Sequence, residues 1–119
     1  MFGGRKRKIE AVKELLDANV LTEGEGLDTE VLSACGCDLM SDVLAFVKNQ
    51  AMLLTGLVNL QVVRTAEMMD MKAIVFVRGK EPGEEIVELA KEMKIAILTT
   101  SYPLYIACGK LYSEGLCNN

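Results

Sequence analysis

Ala73-Ile74-Val75-Phe76-Val77, followed by Arg78-Gly79-Lys80-Glu81-Pro82-Gly83, decides how the rest of the chain is read. The first five residues are all apolar and rich in β-branched side chains. Such an unbroken run fits a strand buried on both faces, as in a parallel sheet. The charged, glycine- and proline-containing segment after it reads as a loop. Two runs of the same kind flank this one. Ala51-Met52-Leu53-Leu54-Thr55 exits through Gly56, and Ile95-Ala96-Ile97-Leu98-Thr99 exits through Thr100-Ser101.

The segments between the runs carry helical periodicity. Residues 59–70 place Val62, Val63, Ala66 and Met69 inward, with Asn59 as N-cap. Residues 84–94 place Ile86, Leu89, Ala90 and Met93 on one face. Leu104, Ala107, Cys108 and Leu111 repeat in a last helix, with Ser101 at or next to its cap, Pro103 in its first turn and Gly115 at its end. Strand–helix alternation predicts right-handed crossovers and a mainly parallel sheet with flanking helices.

Upstream the pattern is less regular. Residues 6–18 read as a helix carrying Ile9, Val12, Leu15 and Leu16. Val20-Leu21-Thr22 is a short strand, Glu23–Gly26 a turn, and residues 29–34 a second short strand. Asp38 is placed to cap the next helix, Asp42 lies in its first turn, and Met40, Val43, Leu44 and Val47 form its apolar stripe.

The expected organisation is a basic N-terminal segment or helix start over residues 1–8, then a single α/β domain over 9–119. A length of 119 residues supports one core. Half the chain is hydrophobic but only 5% aromatic, so that core must be aliphatic. The net charge of −4 disfavours nucleic acid, which needs a basic face. The basic run Arg5-Lys6-Arg7-Lys8 reads as a solvated helix start or tail, with contact to an anionic partner as the alternative. No apolar span long enough for a membrane helix and no apolar signal core are found, so the expected location is the cytoplasm.

The cysteines, Cys35, Cys37, Cys108 and Cys117, are then expected as reduced thiols. Cys35-Gly36-Cys37 lacks the two-residue spacing of zinc or thioredoxin-like pairs. With no histidine, imidazole catalysis and His-ligated metals are excluded. There is no P-loop and no dinucleotide fingerprint. The reading therefore expects no catalytic residue, no metal and no cofactor.

If the three long strands are parallel neighbours, their carboxyl ends share one edge of the sheet, where α/β sheets bind ligands. That edge would carry Thr55, Gly56, Asn59, Arg78, Gly79, Lys80, Thr99 and Thr100. Hydroxyls, bare glycine backbone and two cations suit a small anionic ligand such as a nucleotide. The same residues also fit ordinary loop and capping roles. Arg64, within an apolar helix stretch, reads as an outward arginine or one reaching the crevice or a partner.

Longer strings carry a resemblance. Asp38-Leu39-Met40-Ser41-Asp42-Val43-Leu44, Leu54-Thr55-Gly56-Leu57 and Gln61-Val62-Val63-Arg64-Thr65-Ala66-Glu67 resemble stand-alone DRTGG-domain proteins. Ala73–Lys80 and Gly109-Lys110-Leu111-Tyr112 extend the likeness, which runs from about residue 20 to residue 116. The resemblance implies an α/β fold like the N-terminal domain of HPr kinase, and an accessory role in regulation and subunit contacts. The Asp-Arg-Thr-Gly-Gly string itself is absent; Thr55-Gly56-Leu57-Val58-Asn59 takes its place. The functional expectation is a non-catalytic regulatory domain. It would be a homodimer, bind a small anionic or nucleotide-like ligand, and act on a protein partner. The alternative is an interaction module with no small ligand.

Overall fold

A computed structural model describes residues 6–46 and 51–116. Arg5, Val47 and Cys117, each given a place above, lie outside the described residues. The elements run β1 (Arg7–Lys8), α1 (Ile9–Leu15), β2 (Asn19–Glu23), β3 (Glu30–Val31), β4 (Ser33–Gly36) and α2 (Met40–Phe46). They continue with β5 (Ala51–Thr55), α3 (Leu60–Met68), β6 (Ala73–Phe76), α4 (Glu84–Met93), β7 (Ala96–Thr99) and α5 (Leu104–Ser113).

The main sheet has five strands in the order β2-β7-β6-β5-β4. Strands β4 to β7 are mutually parallel, and β2 joins the edge antiparallel to β7. The three apolar runs are the three adjacent inner strands, and every residue of them is buried. The expected single-domain α/β fold with a mainly parallel sheet is therefore observed.

Because side chains alternate across a strand, each run feeds two cores. Leu53, Ile74, Phe76 and Ile97 face one side, where Met40 and Val43 of α2, Val62, Val63 and Ala66 of α3, and Ile86 and Ala90 of α4 cover them. Met52, Leu54, Val75 and Leu98 face the other side, under Ile9 and Val12 of α1 and Ala107 and Leu111 of α5. Burying an aliphatic side chain of this size contributes about 1.5–3 kcal/mol. The sheet is thus held from both sides by apolar contact.

The less regular first third differs from expectation. Helix α1 begins at Ile9, because Arg7 and Lys8 pair antiparallel with Val31 and Glu30. Arg7 is further held by the main-chain oxygen and carboxylate of Glu114. Residues 29–34 do not form one strand: Glu30–Val31 pairs with β1, whereas Ser33–Gly36 joins the main sheet beside β5. On the helices, Leu44 is 44% exposed and Met93 36% exposed, so neither belongs to the core face expected of it. Pro103, not Ser101, is the N-cap of α5, and no side chain caps it. The φ of Pro103 is −69°, which its ring imposes and a helix start tolerates.

Candidate functional site

The three strand ends converge as the parallel pairing requires. Thr55 pairs with Phe76, and Phe76 with Thr99, so the loops after β5, β6 and β7 leave the same edge side by side. The chain then parts: α3 and α4 pack on one face of the sheet and α5 on the other. Diverging loops of this kind open a crevice in many α/β sheets. Here main-chain bonds close it between β6 and β7. The Gly79 N–H donates to the Thr100 oxygen at 2.9 Å, Arg78 N–H to the Tyr102 oxygen at 2.9 Å, and Thr100 N–H to the Phe76 oxygen at 3.0 Å.

The polar side chains sort accordingly. Thr100 is 3% exposed, and its hydroxyl donates to the Leu16 carbonyl at 2.7 Å. Thr99 is 6% exposed. These two threonines back the edge rather than project from it. Asn59 caps α3, its Oδ1 accepting from the Val62 N–H at 3.1 Å as the sequence predicts. Arg64 is exposed on α3.

Arg78, Gly79 and Lys80 are all exposed. Arg78 and Gly79 both have positive φ, +62° and +67°, and Lys80 N–H returns to the Val77 oxygen at 3.3 Å. That is a primed β-turn. Glycine adopts it freely; arginine pays for it, at about 1–2 kcal/mol for a left-handed residue. The turn aims Lys80 back across the edge, where its ammonium donates to the Gly56 carbonyl at 2.8 Å. A lysine ammonium has three donors, so two stay available.

The feature that sequence reasoning missed is Asp38. Assigned there to a helix cap, its carboxylate instead serves the β5 exit. Asp38 Oδ1 accepts from the Thr55 hydroxyl and from the Gly56 N–H, each at 2.8 Å. Thr55 Oγ1 in turn accepts from Leu57 N–H at 3.1 Å. The cause is register: Gly36 pairs with Leu54, so two residues further on Asp38 stands beside Gly56. Only the parallel pairing of residues 33–36 with 51–54 reveals it. At Gly56 a Cβ would lie 3.8 Å from both Asp38 carboxylate oxygens and from the Lys80 ammonium. A carboxylate and an ammonium therefore flank a patch of bare backbone.

Burial raises the pKa of Cys35, helped by the negative potential of Cys37, Cys108 and Asp42, and burial raises that of Cys108. Raised values suppress the reactive thiolate. Among the described residues no three His, Cys, Asp or Glu side chains are grouped as a metal site would need. A groove of about 940 Å³ lies along α5 and the free edge of β4, lined by Leu15, Ala34, Gly36, Tyr105, Tyr112 and Leu116 among others. None of the eight candidate residues lines it. Among the described residues no helix is long and apolar enough to cross a membrane.

The class so defined is a small α/β domain with one mostly parallel sheet and a mixed-charge carboxyl edge. Within that class, the chain belongs to the DRTGG domain family, whose model matches residues 11–110. Its structure is similar to the CBS and DRTGG domains of the regulatory region of Clostridium perfringens pyrophosphatase, solved in complex with the activator diadenosine tetraphosphate. The TM-score is 0.72 at 15% identity, covering 93% of this chain and 47% of that one. The chain thus spans about half the length of that region, and the likeness is one of fold. No curated protein matches the chain.

Proposed function

We propose that this chain is a non-catalytic regulatory domain that binds a small anionic, nucleotide-like ligand at the carboxyl edge of its sheet. In this reading it works in the cytoplasm, as a homodimer acting on a protein partner. The observation that carries the reading is the pair Arg78 and Lys80, both exposed, set on either side of a glycine beside the bare backbone of Gly56. Arg78 holds a left-handed conformation that glycine would occupy at less cost. Strain retained at a surface loop motivates a functional role for the side chain. The guanidinium and ammonium would take the anionic groups, while Thr55 and Asn59 hold the loop between them. Thr99, Thr100 and Gly79 would support the rim.

The activator bound by the pyrophosphatase regulatory region makes nucleotides the first ligands to test. Binding would regulate only if the ligand prefers one packing state over another. Thermal-shift titration with diadenosine tetraphosphate, ATP and GTP is the direct experiment. A ligand of the folded state adds about 2.7 kcal/mol of stability at a hundred times its dissociation constant. The expected result is a saturable shift that disappears in the Arg78→Ala, Lys80→Ala double variant. No shift across nucleotides and phosphorylated metabolites would sink the reading.

One observation favours an interaction module instead. On α5, Tyr105 is 85% exposed, Tyr112 68% and Ile106 40%. Neighbouring apolar side chains exposed along one helix suit a contact surface. Under that reading, Tyr105→Glu with Tyr112→Glu converts a dimer to a monomer in sedimentation velocity. Loss of Arg78 and Lys80 would leave the dimer intact.

A further inference from the structure

We infer that Asp38 is a specificity-determining residue of this edge, reading hydroxyl groups that lie beside the phosphate of a ligand. The inference rests on the ligand-binding reading above and narrows it to phosphorylated polyols, such as the ribose phosphate of a nucleotide. The argument starts from which donors are already used. The Thr55 hydroxyl and the Gly56 N–H both point at Asp38 Oδ1 at 2.8 Å. An incoming phosphate therefore finds these two donors taken and a carboxylate in front of them. A bare anion is disfavoured at this spot by like charge.

The other carboxylate oxygen is different. Among the described residues Asp38 Oδ2 has no protein donor, and Asp38 itself is exposed. Two bonds hold Oδ1 against the β5 exit. The loop beneath is fixed too, since Cys37 N–H donates to the Leu54 oxygen at 3.0 Å. Oδ2 is thus an acceptor open to solvent on a carboxylate whose other oxygen is held. An ionised carboxylate only accepts hydrogen bonds, so its ligand partner must be a donor. A sugar hydroxyl meets that need, and acidic side chains read ribose hydroxyls in this way at other α/β sheet edges. Lys80 supplies positive charge beside the same glycine, so a ligand carrying both a hydroxyl donor and an anionic group finds a partner for each at Gly56.

Calorimetric titration of the full chain with ATP, 2′,3′-dideoxyATP and inorganic phosphate tests this. The informative variant is Asp38→Asn, which keeps an oxygen for Thr55 and Gly56 but replaces the free acceptor with an NH₂ donor. Asp38→Ala is the second variant, with native circular dichroism as the control for folding. The wild type is expected to prefer ATP over the dideoxy analogue by about tenfold or more, the usual size of a hydrogen bond to a charged group. In Asp38→Asn and Asp38→Ala the preference should fall towards one, with phosphate binding no weaker than in the wild type. Equal affinity of the wild type for the two nucleotides, or an unchanged preference in both variants, overturns the inference and leaves the anion site standing. Tighter ATP binding by Asp38→Asn overturns it as well, since Asp38 would then only repel. If the wild type binds none of the three probes, the anion site falls and this inference with it.

Discussion

At Arg78, stability and the proposed ligand binding pull in opposite directions. Its φ of +62° costs what a glycine would not, so Arg78→Gly is expected to raise stability by about 0.5–1 kcal/mol after glycine's own entropy loss. Urea unfolding reads the gain, and nucleotide titration should show binding lost in the same variant. Thr100 carries the opposite lesson, because its hydroxyl was assigned to the crevice and is taken by Leu16. Thr100→Val leaves that buried carbonyl without a donor, and should cost about 1–3 kcal/mol. The thiols of Cys35 and Cys108 have raised pKa values, so both should label slowly with iodoacetamide at pH 7. Between the unfolded and folded pKa the native state binds more protons. Stability is then full below the ordinary thiol value of about 8.5 and falls as pH rises beyond it. Thermal melts across pH 7–10 check this.

Helix and strand packing turns on a few close approaches. Gly36, at the end of β4, lies under α5: a Cβ there would stand 2.4 Å from Cys108 Sγ and 3.4 Å from Leu104. Gly36→Ala is expected to push α5 off the sheet edge and destabilise the fold by about 1–3 kcal/mol, the range for overpacking. Chemical denaturation measures it, and Gly109→Ala serves as the contrast because a Cβ at Gly109 meets nothing. Elements bounded by local chemistry were legible: Asn59 caps α3 through a bond to a residue three positions on, a signal contained in the sequence itself. The start of α5 was placed too early because Ser101 and Pro103 both fit a helix start, and the extended ψ of Pro103, 165°, leaves it as the cap.

Across the full fold, burial predicts where opening begins. Strand β6 is central and buried on both faces, while the β1–β3 ribbon is two residues wide on each side. Amide exchange should therefore find Ile74 and Val75 protected to the global unfolding free energy, with the ribbon opening locally well below it. Equal protection of ribbon and centre would contradict this picture. A ligand at the proposed site would touch the loops after β4, β5 and β6, and so would stabilise the protected sheet directly.

By itself the sequence determined the inner strands, the helices between them and the edge on which the candidate residues gather. Each is a local matter: an unbroken apolar run, a 3.6-residue period, or a polar exit from a buried strand. Tertiary structure alone decided the partners. It split residues 29–34 between two sheets, placed β2 antiparallel at an edge, turned Thr100 onto Leu16 and brought Asp38 to Gly56. Those pairings join residues 18 and 84 positions apart, and no local propensity encodes them. They follow from strand register, which is set by burying the sheet's apolar faces in the assembled fold.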